Sequence, residues 1–549
     1  MRINKLKLQN FKKFRQLTCD FNDDINIIAG DNESGKSSIL EAIEICLNFN
    51  YRGKPLNSEI STDLFCNECI RIYLDGDLSQ TTLPELIIEA HLEGNPDLKG
   101  DNNIERVDTE GIFVKIAFDN ELAKPYEKFI ENPDKVTTLP VEFYKAEWYH
   151  FGWDRLTYHN KGVSCLFVDP TRMHPTFGRA KYINSIINAS LDKASRSTLN
   201  LNYRQLKASF DNQQDVMRIN DNIDSENEIS EKSLKITADI GSVNSWESSL
   251  QLAVEDVSFN QIGKGEQNQI QIKLALQNKA KDIDIVLLEE PENHLSHMNL
   301  TRLIGYLEKK NNGKQIFLTT HSSYVLNKLS LNKLCLLSDR YSRFSDIDSD
   351  TVKTLKRLPG YDTLRAILAR KLVLVEGPSD ELLLKKIYLQ DKGHLPEDDG
   401  IDIIVVRGLG FKNYLNLAIP LKHPVRVVRD NDGNYESNVI EWKKDYDEYD
   451  FIKFYSPTDN LQSSLEPSLV ESNAESTDKL DHLAKTMLST KTYNKFMKEN
   501  KLDDKKKFLK SWFAGEKTGG KKVDSAIRIF ESEEEVIFPT YLIEAIAFD

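Results

Sequence analysis

The chain has 549 residues, 40% of them apolar and 29% charged, and carries a net charge of −14 from 72 basic and 86 acidic side chains. That length suits roughly three to four domains, no apolar run approaches the ~18–20 residues of a membrane span, and the acidity excludes a histone-like protein that coats nucleic acid by bulk charge. Six cysteines are too few for a disulfide scaffold and the N-terminus lacks the apolar core of a secretory signal, so the expectation is a reduced, cytoplasmic protein with no membrane partner.

The first segment reads strand, turn, strand, loop, helix. Ile25–Ile28 is a short β-branched run of the buried-strand kind. The loop GDNESGKS follows, and then a helix with Ile39, Ile43, Cys46 and Leu47 on one face. Strand-like runs (ELIIEAHL, GIFVKIAF, VEFYKAEWY) come next. From about Asn184 to Lys235 the chain is rich in Asn, Ser, Asp and Lys, which we read as helices inserted into the first domain, spanning about 165–235. At Ile283 an α/β pattern returns: the strand IDIVLLEE, a helix from His297 to Leu307, a turn at Gly313 and the strand QIFLTT. Such alternation implies a parallel sheet. A second α/β unit starts at Lys371 with KLVLVEG, SDELLLKKIYL, IDIIVVRG, FKNYLNLAI and VRVVRDND, so the boundary is expected near Tyr361 to Arg370, dividing the chain into 1–368 and 369–549. The lysine-rich stretch Lys501 to Lys510 reads as a solvated helix face.

Gly30-Asp-Asn-Glu-Ser-Gly35-Lys36-Ser37 matches G-x-x-x-x-G-K-[ST] between a strand and a helix. Glycines let backbone N–H groups turn towards phosphate oxygens, and the helix N-terminus adds partial positive charge. Lys36 is expected to reach the β/γ-phosphates and Ser37 to ligate Mg²⁺. Gly30, Asn32, Gly35, Lys36, Ser37 and Ser38 form the expected nucleotide cradle. The strand VLLEEPENHL supplies the acidic partner: Glu289 for the Mg²⁺ water shell and Glu290 to orient and polarise the attacking water. His321 follows the strand QIFLTT, and Gly263, Gly265 and Glu266 precede a helix read as Gln267 to Leu276.

These elements, with MRINKLKLQNFKKF, resemble the RecF/SMC-like branch of ABC-type ATPases. The resemblance implies that His321 is a switch residue near the γ-phosphate. It also implies that the Gly265 loop completes the nucleotide site of an opposite protomer, which makes ATP a dimer sandwich and the helical insertion a dimerisation element.

In the C-terminal unit Glu376 ends a buried strand, Asp380 and Glu381 fall on the first turn of the next helix, and Asp430 and Asp432 end another strand, their D-x-D spacing placing both on one side of an extended end. Parallel strands bring their C-terminal ends to one edge. Clustered carboxylates call for a cation, and hard oxygen ligands suit Mg²⁺ or Mn²⁺. This pattern resembles a Toprim domain, and the order of ABC head then Toprim resembles the OLD (overcoming lysogenisation defect) family of nucleases. The expected fold class is thus α/β: an ABC-type, RecF/SMC-like ATPase head with a helical insertion, then a Rossmann-like Toprim domain. The resemblance implies a further acid, Glu466 in SSLEPSLV, and a lysine before FPTYLIEAI, either Lys521 or Lys522 with Lys522 favoured, to stabilise charge on the scissile phosphate. With Glu376, Asp380, Asp430, Asp432 and Glu466 available, two cations fit; which of Asp380 and Glu381 faces them stays open.

The resemblance implies an ATP-binding, metal-dependent DNA endonuclease or nickase. Its setting would be bacterial anti-phage defence, as a dimer or tetramer beside a helicase or a retron reverse transcriptase with its nucleic acid. The competing expectation is a non-catalytic, ATP-dependent DNA-binding scaffold of RecF type. A strand-passing enzyme ranks low, because none of the 20 tyrosines has a recognisable nucleophile context. Cys66-x-x-Cys69 lacks the second ligand pair of a zinc site, and the aromatic stretch Phe143 to Trp153 reads first as core.

Overall fold

The computed structural model describes all residues except 31–32, 134–135, 159, 170–190, 226–233, 238–252, 260, 277–282, 294, 310–312, 323–324, 326–332, 338–340, 344–364, 368, 407–409, 515–521, 535 and 549. Asn32, Lys521, much of the expected insertion and the boundary residues 361–364 and 368 therefore lie outside the described residues. The described chain divides into two compact units: Met1–Val325 with Lys333–Tyr341, and a second that runs from Ser342.

The first unit carries two sheets. One is antiparallel and contains β1 (Arg2–Phe11), β2 (Phe14–Asp20), β4 (Leu86–Glu93), β5 (Thr109–Phe118) and β6 (Tyr144–His150). Its order is β2-β1-β4-β5, with β6 and Lys99–Gly100 also pairing β5. The second sheet contains β3 (Ile25–Ala29), β7 (Cys165–Val168), β8 (Ile285–Glu289), β9 (Gln315–Thr319), β10 (Leu334–Leu337) and β11 (Tyr341–Arg343). Its order is β7-β8-β9-β3-β10-β11, and the pairings from β7 to β10 are parallel.

A strand covered on both faces has no reason to alternate, which explains why β3, β8 and β9 are unbroken and fully buried. The register Glu289↔Thr319 and Thr319↔Ile28 brings the C-terminal ends of all three to one edge. Helix α1 (Lys36–Asn48) follows β3 and buries Ile39, Ile43, Cys46 and Leu47, the face read from the sequence. Aromatic core packing accounts for part of the Phe143–Trp153 stretch: Trp148 stacks on Phe49 with centroids 4.4 Å apart and donates to Ile45 O.

In the expected insertion, α2 (Lys193–Asp211) and α3 (Gln214–Ser225) are described. Their apolar side chains Leu199, Leu206, Phe210 and Met217 are exposed. Helix α4 spans Lys264–Leu276 and α5 His297–Lys309. Helix α4 thus begins three residues earlier than expected, taking Gly265 and Glu266 into its first turn. Gln267 holds that start by donating to Phe259 O at 2.7 Å and Ile262 O at 3.1 Å, and Glu266 sits at the positive end of the helix dipole.

The second unit is built on a parallel sheet of β12 (Lys371–Val375), β13 (Ile401–Val405), β14 (Val425–Val428) and β15 (Ile452–Tyr455) in the order β13-β12-β14-β15. Helix α6 (Pro378–Lys392) leaves β12, and α7 (Phe411–Leu421) precedes β14. Beyond β15 come α8 (Leu465–Ser472), the helices Thr477–Met487 and Leu502–Ala514, α9 (Lys522–Glu531) and α10 (Thr540–Ile546). The lysine-rich helix is more than a solvated face. Lys505 is buried against Asp481, and Lys506 and Lys510 both reach Glu471. Among the described residues no helix is long and apolar enough to cross a membrane.

Candidate functional site

Two places collect chemistry, one in each unit. In the first, Gly30 follows β3, and a Cβ there would lie 2.1 Å from Leu337 O, so only glycine fits. Gly35 caps α1 at φ +100°, and its Cβ would lie 2.5 Å from Phe14 Cζ. No side chain caps the helix and its first turn holds no acid, which leaves the N-terminus open to an anion. Lys36 is buried and donates to Gly30 O at 2.8 Å. A cavity of about 300 Å³ lies here, lined by Lys12, Lys13, Glu33, Lys36, Ser37, Ser38 and Glu290 among others.

Glu289 is buried at the end of β8. Glu290, the next residue, has φ +40° and donates its N–H to Thr319 O and Oγ1, both at 3.1 Å. Its Oε2 accepts from Asn293 at 2.8 Å, and Oε1 lies 3.5 Å from His321 Nδ1. The structure therefore brings Lys36, Ser37, Ser38 and Glu290 to one cavity and sets His321 against Glu290. Gly265 is not among the residues lining it.

Sequence reasoning missed three contributors. Lys12 and Lys13 enter from the β1–β2 turn, Lys13 donating to Glu33 O at 3.0 Å. The third is Glu292, nearly buried, which accepts from Thr320 Oγ1 at 2.5 Å and His321 N at 3.1 Å and so fixes the loop carrying the histidine.

The second place is the C-terminal edge of the β13-β12-β14-β15 sheet. Glu376 follows β12 directly and accepts from Asp430 N at 3.3 Å, which ties the ends of β12 and β14 together. Asp380 turns back to accept from Gly377 N at 2.9 Å. Glu381 points elsewhere, pairing with Lys385 at 2.9 Å, one helical turn on. Strand β14 stops at Val428, so Asp430 and Asp432 meet the cluster through a turn rather than an extended end. Asp432 has φ +48° and donates N–H to Ser463 O. Buried Asn431 fastens the turn by donating to Pro457 O and Asp459 O. Glu466 is buried on the first turn of α8, where it accepts from Ser464 Oγ at 3.2 Å and from Lys522 Nζ at 2.9 Å.

Burial, then the neighbouring charges of Glu376 and Glu466, pushes Asp380 up to about 7. Burial, then Asp380, Glu376, Glu466 and Asp432, pushes Asp430 up to about 8. Glu376 is raised too, by burial and then Asp432, against its bond from Asp430 N and the nearby Arg429. Tyr541, unmarked in the sequence reading, is partly buried in the same field, and its hydroxyl is held well above the ordinary phenol range by desolvation first and then by Asp380, Asp430 and Glu466.

Among the described residues no group of three or more His, Cys, Asp or Glu side chains is placed so that it could hold a metal ion. Glu376, Asp380 and Glu466 are each engaged by the donors just named. The donor chemistry nevertheless fits a hard divalent cation, since these carboxylates hold one another's protons on. Small side-chain rotations would release oxygens to it.

A stability prediction follows. An acid whose folded pKa exceeds its unfolded value near 3.8 stabilises the fold below that value, and the contribution is lost as pH rises through about 7 and about 8. A cation restores it. The Mg²⁺-induced rise in melting temperature should be small at pH 5.5 and several-fold larger at pH 8.5, measured by scanning calorimetry against EDTA. An equal rise at both pH values would refute the coupling.

Cys66 and Cys69 are buried, with Cys69 Sγ donating to Cys66 O at 2.9 Å, an arrangement that needs no metal.

Family models match three stretches of the chain. Residues 1–149 match the family model "AAA ATPase domain" and residues 179–327 a second AAA-domain model. Residues 367–432 match "Overcoming lysogenization defect protein-like, TOPRIM domain". The "DNA replication and repair protein RecF" of Oenococcus oeni is 47% identical over 45 residues, which is 8% of this chain and only 12% of that protein. The "Retron Vc95 probable ATPase" of Vibrio cholerae is 23% identical over 394 residues, covering 63% of this chain and 75% of its own. A solved SMC head bound to a winged-helix domain of ScpA superposes with a TM-score of 0.35 at 16% identity, over 61% of this chain and 94% of that one.

Proposed function

We propose that this chain, which joins ATPase-domain sequence to an OLD-like Toprim domain, is an ATP-binding, divalent-metal-dependent DNA endonuclease or nickase that acts in bacterial anti-phage defence. The observation that carries the reading is the convergence of Glu376, Asp380, Asp430 and Glu466 from four separate elements, with Lys522 on Glu466. A scaffold has no use for mutually repelling, desolvated carboxylates. A phosphodiester hydrolase needs them to hold cations.

Glu376, Asp380, Asp430, Asp432 and Glu466 would hold Mg²⁺ or Mn²⁺. The bound metal supplies charge neutralisation at the phosphate and a water acidic enough to attack. Lys522, half exposed and anchored by Glu466, presents its ammonium to the phosphate oxygen on which charge develops. Asn431 keeps the Asp430–Asp432 turn fixed while DNA binds.

In the head, Lys36, which donates to Gly30 O, would turn to the nucleotide phosphates, Ser37 would hold the Mg²⁺ that accompanies them, and Glu290 beside His321 would orient water at the γ-phosphate. Gly265, outside its own cavity, serves the nucleotide of a second copy, which makes the working form a homodimer or a tetramer. The retron relative favours an operon partner such as a reverse transcriptase with its nucleic acid over a helicase.

The deciding experiment is supercoiled plasmid with Mg²⁺ or Mn²⁺, with and without ATP, using wild type and Glu376→Ala. Metal-dependent nicking or linearisation that vanishes in the variant is the expected result. Equal cleavage by the variant, or ATP hydrolysis with no cleavage under any condition, would favour the scaffold.

A further inference from the structure

Glu290 occupies the left-handed backbone region at φ +40°, where an L side chain is strained and stays only if its surroundings hold it. The hold comes from both sides. Thr319 of β9 takes the Glu290 N–H through O and Oγ1. On the other side the carbonyl of the next residue, Pro291, accepts from Asn268 Nδ2 at 3.1 Å.

Asn268 lies on α4, one turn after Gly265, and is fully buried. Its Oδ1 is buried with no hydrogen-bond partner among the described residues. A buried, half-satisfied amide is costly, and an apolar side chain of that size would be cheaper if packing were the only demand. The other end of the same helix turn is open: Gly263 and Lys264 are exposed, and a Cβ on Gly263 would meet nothing within 4 Å.

We infer that Asn268 is a positioning residue for ATP hydrolysis. It clamps the peptide that follows Glu290 and so makes the placement of that carboxylate depend on the helix whose start is exposed at Gly263 and Lys264. The inference rests on Glu290 being the group that orients the attacking water.

The test uses the full chain with Asn268→Leu, which removes the unsatisfied amide at similar volume, and Asn268→Asp, which keeps the shape and replaces the donor by an acceptor. Steady-state hydrolysis, binding of a fluorescent ATP analogue and melting temperature are measured together. The expected result is a kcat about tenfold or more below wild type in both variants, part of the ~100- to 10,000-fold that a positioned general base contributes. Analogue affinity should stay within about twofold and the melting temperature of Asn268→Leu should be equal or higher.

Wild-type kcat in Asn268→Leu would overturn the inference. So would a loss that disappears once rates are normalised to the nucleotide-binding fraction, since that is all a merely structural asparagine would produce. If Asn268→Leu does not fold, Asn268→Asp alone decides on the same criteria. Glu290→Gln separates the layers: if it hydrolyses ATP like wild type, the parent reading falls and this inference with it. If it is inactive while Asn268→Leu is not, only the inference falls.

Discussion

Asp430→Asn should lose metal-dependent DNA cleavage by about 100- to 1,000-fold, the scale on which removal of one charge-stabilising group acts in an active site. The same protein should melt higher than wild type in EDTA at pH 8.5. Both effects have one cause. Asp430 sits in the field of Asp380, Glu376, Glu466 and Asp432 and is pushed up to about 8 by burial and by those neighbours. Above that pH the wild type must carry the charge in the fold, whereas the unfolded chain carries it at no penalty. Asparagine keeps the size and removes the charge.

The sign reverses the usual expectation for a lost carboxylate, because most folded carboxylates are stabilised by partners and this one is opposed by them. At pH 5 most of the difference between wild type and variant should be gone, since the wild-type acid is then protonated in the fold, and the rest should vanish below about 3.8. Calorimetry at the two pH values, beside a plasmid assay, checks both halves. A variant that is inactive and also less stable at pH 8.5 would mean that Asp430 is a structural acid. Ground-state repulsion of this kind is the ordinary trade of stability for function.

Much of this was legible in the sequence, for a physical reason. Strands buried on both faces must be written as unbroken apolar runs, and parallel strands put their functional residues immediately after those runs. INIIA before the glycine loop, IVLLE, QIFLT, KLVLV and VRVV all read correctly as strands, and each is followed by a residue of one of the two clusters. What escaped was whatever depends on phase or on chain entry from far away. Asp380 and Glu381 are neighbours that only the helical turn separates: Lys385 lies at the spacing that claims Glu381, and Asp380 is left to close on Gly377.

The D-x-D spacing suggested an extended end, yet a left-handed Asp432 and the Asn431 bonds make a turn of it. Lys12 and Lys13 sit far from the glycine loop in sequence terms, and only the antiparallel pairing Phe11↔Phe14 turns the hairpin tip into the cavity. Tyr541 reaches the acids from the far C-terminal helix, and no local pattern announces that. Asn268 stands inside a helix that the sequence marked only for its glycines.

Glu290→Gln is expected to lower kcat for ATP hydrolysis by about 100- to 10,000-fold, the range that a positioned general base contributes, while nucleotide still binds. Lys36, Ser37, Ser38 and the open N-terminus of α1 are untouched by the change, and the amide can still accept from Asn293 as the carboxylate Oε2 does. What it cannot do is draw a proton from water or pair with His321, which stands 3.5 Å from Oε1. The product is a head that binds ATP and holds it. If two heads close on the nucleotide, the variant should become dimeric with ATP at concentrations where wild type is not, as light scattering would register; a variant that stays as dispersed as wild type would argue against the sandwich. Plasmid cleavage by this trapped form then fixes the sign of the coupling between the two units. Faster cutting means that bound ATP licenses the Toprim site and hydrolysis ends the licence. Abolished cutting means that cleavage needs turnover. Unchanged cutting means that the two chemistries share a chain and not a control.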